Sequence, residues 1–388
     1  MNRYKLLNIA KSYIKSVFYS ILPERTVPLW THLWVTRRCN LRCKYCYVSH
    51  EKYPEMNTLE LKRVINHIKN KLHCTFIALM GGEPTIRKDL PEIIQYMTDL
   101  NITSFLTTNG TLLNEHKIFQ LCESDVDFIE LSLDGMAPSP ISEKTGQNLI
   151  KILDILIKYT KTYDVGLSIN MVITKQNYKE LYELIRLVSG EPISITTGLY
   201  IPDLQDDENI RDDSFAFNTS EDLTNLDGFV NRILNLKNKG AFLAMDDSYY
   251  KKWVPFMRQL LKHPQKPKQL WKCKAGKNFL EIDCDGRIRY CSYLNQIVDE
   301  DLTILDLDLS YYHQLRSRFK NMLRRCNNRC LSNCFYQVSL IKKHPFKFAH
   351  EFVFKHAMPF VYELFDREKT SEKKALKNEW RKKFNNGS

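Results

Sequence analysis

Apolar residues recur along the middle of the chain with two alternating periods. Short runs rich in β-branched and aromatic residues alternate with longer stretches in which apolar positions recur every three to four residues. The predicted strands cover 30–36, 76–80, 104–108, 128–134, 165–173 and 193–201, and the predicted helices cover 58–71, 89–99, 114–122, 145–160 and 178–188. Such alternation favours a parallel sheet with right-handed crossovers. With a closing helix at 220–239, it predicts an α/β fold, a partial (β/α)6 TIM-like barrel.

The pattern changes on both sides of this barrel, which we place at residues 29–245. Residues 1–28 carry an apolar stripe at helical spacing with lysines between, which predicts an amphipathic helix and a linker. This helix either packs against the barrel or lies on an anionic membrane surface. The strand–helix alternation stops in residues 246–340, where we expect a small Cys-rich α+β extension, and residues 341–388 form an aromatic, then basic tail.

Composition limits the classes of protein that this chain can represent. The 388 residues are 43% hydrophobic, and no apolar run approaches the roughly 20 residues of a membrane span. The net charge of +12 suits an anionic membrane, an acidic substrate or a solvated basic surface, and we expect no nucleic-acid partner. The 11 cysteines are unevenly placed and no signal peptide is visible, which favours clusters in a reducing cytoplasm over disulfides. The predicted location is cytoplasmic, with peripheral membrane contact as an alternative.

Three cysteines directly follow the first predicted strand. Cys39, Cys43 and Cys46 have the spacing Cys-x3-Cys-x2-Cys, in a loop that a parallel barrel would place at its catalytic mouth. Three thiolates can hold three irons of a [4Fe–4S] cube and leave the fourth iron open to a small molecule. A structural zinc site usually has four ligands, and no second Cys or His pair lies nearby. A non-catalytic metal-binding protein is the alternative from a different functional class.

This cysteine run resembles that of the radical S-adenosylmethionine (radical SAM) enzymes. The second strand ends in Met80-Gly81-Gly82-Glu83-Pro84, which is similar to the GGEP motif of the same family. The resemblance implies that the open iron binds S-adenosylmethionine (SAM). It also implies that Tyr45 lies beside the adenine of SAM and that Ser132 contacts its ribose or carboxylate. The methionine amine would be bound by Gly81, Gly82 and Glu83. Asn170, among apolar neighbours on strand five, is a further polar candidate. The alternative to a cofactor contact is packing on the barrel rim for Tyr45. For the polar residues it is a role in capping a helix or a turn.

The later cysteines form a second candidate metal site. Cys273 and Cys291 have the spacing Cys-x12-Gly-x4-Cys around a predicted hairpin at 283–286, and Cys326, Cys330 and Cys334 follow at intervals of four. These segments resemble the SPASM and twitch extensions of radical SAM enzymes. Because the full SPASM pattern is not met, the resemblance implies one auxiliary [4Fe–4S] cluster held by the first pair and two of the last three. Structural zinc is the alternative. Cys74, Cys122 and Cys284 are predicted to be small buried or turn residues outside the ligand sets.

These features together predict a radical SAM oxidoreductase. The resemblance implies that a flavodoxin- or ferredoxin-type protein reduces the first cluster, that SAM is cleaved, and that the 5′-deoxyadenosyl radical abstracts hydrogen from a substrate. We expect a peptide substrate, with a sugar, nucleotide or lipid precursor as the alternative. In sulfatase-maturing relatives an aspartate base follows the second auxiliary cysteine. Here this residue is Ser292, a poor base without a partner, so sulfatase maturation is not expected.

Overall fold

The computed structural model describes residues 27–336, apart from residues 47, 49–52, 202–212, 264–269, 272, 293–295, 327–329 and 335. The predicted amphipathic helix, within residues 1–28, and the tail at 341–388 therefore lie almost entirely outside the described residues, and both stay predictions. None of the described helices combines the length and the apolar character needed to cross a bilayer.

The predicted barrel is confirmed. The strands are β1 (Trp30–Thr36), β2 (Phe76–Gly81), β3 (Thr103–Thr108), β4 (Phe128–Ser132), β5 (Gly166–Ile173) and β6 (Ile193–Leu199). They lie side by side in chain order, and all neighbouring pairs are parallel. The helices are α1 (Thr58–Leu72), α2 (Leu90–Asp99), α3 (Glu115–Glu123), α4 (Gln147–Thr162), α5 (Tyr178–Val188) and α6 (Ser220–Asn238). The ends of these elements agree with the predicted ones to within two residues.

Amphipathic helices cover the outside of this sheet. Helix α1 begins at a capping box in which the Asn57 side chain accepts from the Glu60 amide at 3.0 Å, and the Glu60 carboxylate accepts from the Asn57 amide at 2.8 Å. Its buried face is apolar, and the other helices of the barrel likewise bury a stripe of leucine, isoleucine and valine. This burial is the main favourable contribution to the stability of the barrel.

An aromatic layer fills the barrel near the strand starts. Trp30 and Phe76 have ring centroids 4.3 Å apart, and Phe105 lies 5.9 Å from Phe128. Each of these four rings comes from a different strand, β1 to β4. Polar residues such as Thr107, Ser132 and Asn170 follow these rings toward the strand ends.

The C-terminal region adds to the same sheet, which the sequence pattern did not predict. Strand β7 (Phe279–Ile282) pairs in parallel with β1, and β8 (Ile288–Arg289) pairs antiparallel with β7. The turn between them contains Gly286 at φ 88°, so the predicted hairpin is confirmed. Helices α7 (Asp247–Tyr250), α8 (Trp253–Lys262) and α9 (Leu309–Cys326) complete the described elements. Strand β1 is thus shared by the barrel and the Cys-rich region.

Candidate active site

A cavity of about 280 Å³ opens at the carboxyl ends of the barrel strands. Its wall includes all three cysteines of the loop after β1, the two glycines after β2 and residues of every strand from β1 to β6. Residues 332–334 of the Cys-rich region also reach it. The loops that the sequence predicts to bind the cluster and SAM therefore meet at one cavity.

The three thiols of the first cysteine loop are half-buried and are approached by N–H donors. The Leu41 amide lies 3.4 Å from the Cys39 sulfur, and the Asn109 side-chain amide lies 3.8 Å from the same atom. The Glu143 amide lies 3.4 Å from the Cys43 sulfur. Donors of this kind stabilise negative charge on cluster thiolates. The residues present therefore fit a cluster with three protein ligands.

The two glycines after β2 pack against the backbone of the cysteine loop. The Gly82 amide donates to the Thr36 carbonyl at 2.9 Å. A Cβ on Gly81 would lie 2.0 Å from the Thr36 carbonyl oxygen, and a Cβ on Gly82 would lie 2.2 Å from the Arg38 carbonyl oxygen. Both positions need glycine because the two loops touch there. Both glycines also line the cavity, so their backbone is available to a ligand.

Glu83, which the resemblance places at the cofactor amine, is bonded to neighbouring loops of the protein. Its side chain is buried and does not line the cavity. The carboxylate accepts from Thr108 Oγ1 at 2.6 Å, from the Asn109 amide at 2.6 Å and from the Thr85 amide at 3.0 Å. Burial raises the pKa of this carboxyl, and these donors oppose that shift. Glu83 therefore joins the loop after β2 to the loop after β3, and its oxygens are already occupied.

Tyr45 lines the cavity, and a hydrogen bond to Asp134 fixes its position. Its hydroxyl donates to Asp134, which also accepts from Ser142 Oγ at 2.8 Å and from the Val172 amide at 2.8 Å. The Lys144 ammonium lies 3.3 Å from the same carboxylate and 4.9 Å from the Tyr45 ring centroid. Burial alone would lower the pKa of Lys144, but the Asp134 charge raises it well above its usual value. The cavity wall therefore carries a fixed aromatic ring and a lysine that stays charged.

Ser132 and Asn170 both line the cavity, where the sequence predicted cofactor contacts. They are direct neighbours in the β4–β5 register. Glu130 precedes Ser132 by two residues and therefore shares its face of the strand. It also lines the cavity, yet sequence reasoning missed it. The signal was the period of two in β4, which places Glu130 inside whenever Ser132 is inside.

The later cysteines divide into two sets. Burial, with smaller contributions from the neighbouring thiols of Cys291 and Cys326, raises the pKa of Cys273 to about 12. Cys330 is buried and experiences the charges of Cys273 and Cys326 in the same way. Cys273, Cys291, Cys326 and Cys330 therefore lie together. Cys334, which the sequence grouped with them as a ligand, instead lines the barrel cavity.

The structure also shows where the remaining cysteines and Ser292 lie. Cys74 and Cys122 are buried among apolar neighbours, as predicted, and Cys284 is buried in the turn between β7 and β8. Ser292 lines the cavity and donates its hydroxyl to Glu281, a buried partner that the sequence did not reveal. In the part of the chain that the structure describes, no three His, Cys, Asp or Glu side chains are arranged to hold a single metal ion.

Comparison with known proteins agrees with this site. The model of the radical SAM superfamily matches residues 34–188. A probable GTP 3′,8-cyclase of Sulfolobus acidocaldarius is 26% identical over 72% of this chain and 84% of its own length. A PqqA peptide cyclase of Bradyrhizobium diazoefficiens is 28% identical over 42% of this chain, and the chain spans only 43% of that relative.

Two solved structures share the fold. Streptococcus suis SuiB bound to S-adenosylmethionine superimposes with a TM-score of 0.57 and 20% identity over 80% of this chain and 72% of its own. The enzyme anSMEcpe with bound AdoMet gives a TM-score of 0.53 and 18% identity over 86% of this chain and 98% of its own. The cysteine loop and the glycine loop both lie within residues 34–188, the range that the family model matches. These residues therefore constitute a radical SAM superfamily domain. Enzymes of that superfamily use a [4Fe–4S] cluster and SAM.

Proposed function

We propose that this protein reductively cleaves SAM at its first cysteine loop and abstracts hydrogen from a peptide with the resulting 5′-deoxyadenosyl radical. The observation that carries the proposal is the meeting of Cys39, Cys43 and Cys46 with the Gly81-Gly82 backbone in one cavity. The cluster and SAM supply the radical chemistry when they are bound. The residues of this chain bind and orient the ligands and exclude water from the site.

Those residues bind, orient and exclude water. The three thiols would hold the cluster, and the glycine loop offers backbone groups beside it. Tyr45 presents a ring whose position Asp134 fixes, and Lys144 supplies a positive charge to an anionic group of the ligand. Leu41, Val48 and Val172 add apolar wall, which limits the access of water to a reactive radical.

A second metal group belongs to the Cys-rich region in this proposal. Cys273, Cys291, Cys326 and Cys330 supply four thiolates, the complement of one fully coordinated [4Fe–4S] cluster. Such a cluster would transfer single electrons to or from radicals formed in the cavity. A flavodoxin- or ferredoxin-type protein is the proposed donor for the first cluster. Zinc at these four cysteines remains the competing assignment.

The peptide substrate is supported by relatives that act on or bind peptides. These are a PqqA peptide cyclase and SuiB, which has been solved with its precursor peptide SuiA. One observation favours a small molecule instead, because the GTP 3′,8-cyclase aligns over a larger share of this chain than the peptide cyclase does. A compound with phosphate groups would also suit Lys144. A small-molecule precursor is therefore the second candidate.

Anaerobic reconstitution tests the catalytic proposal. We expect about eight irons per chain, and replacement of Cys39, Cys43 and Cys46 by Ala should remove about half of them. Dithionite-reduced wild type should form 5′-deoxyadenosine slowly from SAM, and the triple variant should form none. Cys122→Ala, which changes a thiol on α3 outside the cavity, is the matched control. A wild type with full iron content that never cleaves SAM would contradict the proposal.

The two substrate classes can then be separated. A short peptide encoded next to this gene should accelerate 5′-deoxyadenosine formation and change in mass if the peptide proposal is correct. Acceleration by a nucleotide, a sugar or a lipid precursor, with no effect of the peptide, would favour the second candidate.

A further inference from the structure

Cys334 is separated from the four cysteines that lie together and faces the barrel cavity. The same cavity is lined by Cys39, Gly82 and Glu130, so the Cys334 side chain shares a space with the proposed SAM site. The thiol is 3.4 Å from the side-chain oxygen of Asn333, to which it can donate its hydrogen. A cysteine placed in this way is a wall residue of the reaction chamber.

Two buried carboxyl groups surround this thiol. Glu130 comes from β4 and Glu281 from β7, and the charge of each acts on Cys334. Glu281 is 1% exposed, and its Oε2 atom has no hydrogen-bond partner among the residues that the structure describes. A buried carboxylate oxygen without a partner is costly, which points to a missing donor at this place.

The surroundings keep the sulfur protonated. Burial raises the pKa of the Cys334 thiol, and the two carboxyl charges raise it further. The surroundings of Cys334 therefore favour the thiol over the thiolate. They preserve an S–H bond, which is weaker than most C–H bonds and readily gives a hydrogen atom to a carbon radical.

We propose that Cys334 is the hydrogen-atom donor that quenches the substrate radical, an inference that rests on the proposed function. The S–H bond breaks homolytically, the hydrogen atom forms a new C–H bond on the substrate, and a thiyl radical remains on Cys334. One electron from a flavodoxin- or ferredoxin-type reductant and one proton then restore the thiol. The substrate carbon regains the hydrogen that it lost, so the reaction changes configuration or connectivity without net oxidation of the substrate.

The first test measures iron and does not depend on catalysis. We expect Cys334→Ala to keep the iron content of the wild type after reconstitution. Cys330→Ala, four residues away, should lose about half of the iron. An equal loss of iron from Cys334→Ala would make Cys334 a cluster ligand and overturn the proposal.

The second test follows the hydrogen atom without a known substrate. In D2O, where thiols exchange, the 5′-deoxyadenosyl radical formed by reduced wild type should take deuterium from Cys334 and give singly labelled 5′-deoxyadenosine in mass spectra. The label should fall to background in Cys334→Ala and in Cys334→Ser, whose O–H bond is stronger, and persist in Cys122→Ala. Unlabelled product from the wild type, or equal labelling in Cys334→Ser, would overturn the donor role alone. Absence of 5′-deoxyadenosine from every variant would overturn the proposed function as well.

Discussion

At the scale of single residues, the cavity depends on carboxylates that the sequence motifs do not mark. Asp134 holds Tyr45, Ser142 and Lys144 together. We predict that Asp134→Asn leaves the buried Lys144 charge without its counter-charge and destabilises the protein by on the order of 3 kcal/mol. Because Tyr45 loses its charged acceptor, SAM affinity should fall as well, as measured by calorimetry on the reconstituted protein. Tyr45→Phe keeps the ring and the Lys144 ion pair, so a loss of stability as large as that of Asp134→Asn would contradict this account.

Glu130 gives a prediction of pH dependence. Burial raises the pKa of its carboxyl to about 7, although Thr107 donates to it at 3.2 Å. A raised pKa in the folded state stabilises the protein below the pKa of the unfolded state, and that contribution is lost as the pH rises through about 7. The loss amounts to on the order of 3 kcal/mol at most.

Glu130→Gln should therefore match the wild type at low pH and exceed it at high pH, because the amide resembles the protonated acid. Thermal unfolding of anaerobic protein at pH 6 and pH 8.5 measures the difference. The Tm advantage of the variant should be larger at pH 8.5. A constant difference at the two pH values would show that Glu130 does not titrate in this range.

At the scale of elements, the contact between the cysteine loop and the glycine loop is the tightest constraint. Gly81 has φ 138°, and a Cβ there would overlap the Thr36 carbonyl oxygen. We predict that Gly81→Ala costs about 2 kcal/mol or more, because strain in the backbone adds to the clash. Gly228→Ala in α6, where a Cβ meets nothing within 4 Å, should be neutral or stabilising. Paired Tm measurements decide this, and equal tolerance of both changes would contradict the predicted contact.

The strands, helices and cavity-facing positions could be predicted from the sequence because each depends on local periodicity. Helix α5 was predicted at its observed bounds. Ser132, from its match to the family, and Asn170, as a polar residue among apolar neighbours, were predicted as cofactor contacts, and both line the cavity. The hydrogen-bond donors that reach Glu83 come from the loop after β3, which no local pattern reveals. Cys334 faces the barrel cavity although it continues the spacing of four from Cys326 and Cys330, and α9 already ends at Cys326. Contacts between distant segments decide both cases.

At the scale of the whole molecule, strand β1 connects the two cysteine-containing regions. The cysteine loop follows β1. Strand β7, the first strand of the hairpin that leads to Cys291, pairs with the edge of β1 that faces away from β2. Behind this junction, the buried Asp283 carboxylate accepts from Arg37 Nε at 3.0 Å and from Arg289 Nη1 at 2.6 Å. Arg37 lies two residues before Cys39, and Arg289 lies two residues before Cys291. One carboxylate thus fixes the approach to both proposed cluster sites.

Asp283→Asn should consequently affect both regions. Burial alone would raise the pKa of Asp283, but the hydrogen bonds from Arg37 and the Arg289 charge lower it, so the carboxylate is charged at neutral pH. Its neutralisation removes one negative charge from beside two buried guanidinium groups, which costs about 3–5 kcal/mol. We expect a lower Tm and a loss of iron exceeding that of either site alone. Asp299→Asn breaks the partly exposed ion pair with Arg318 and should lower the Tm far less, because solvent screens exposed ion pairs. If Asp283→Asn lost no more stability than Asp299→Asn, or lost iron from one site alone, Asp283 would not join the two regions.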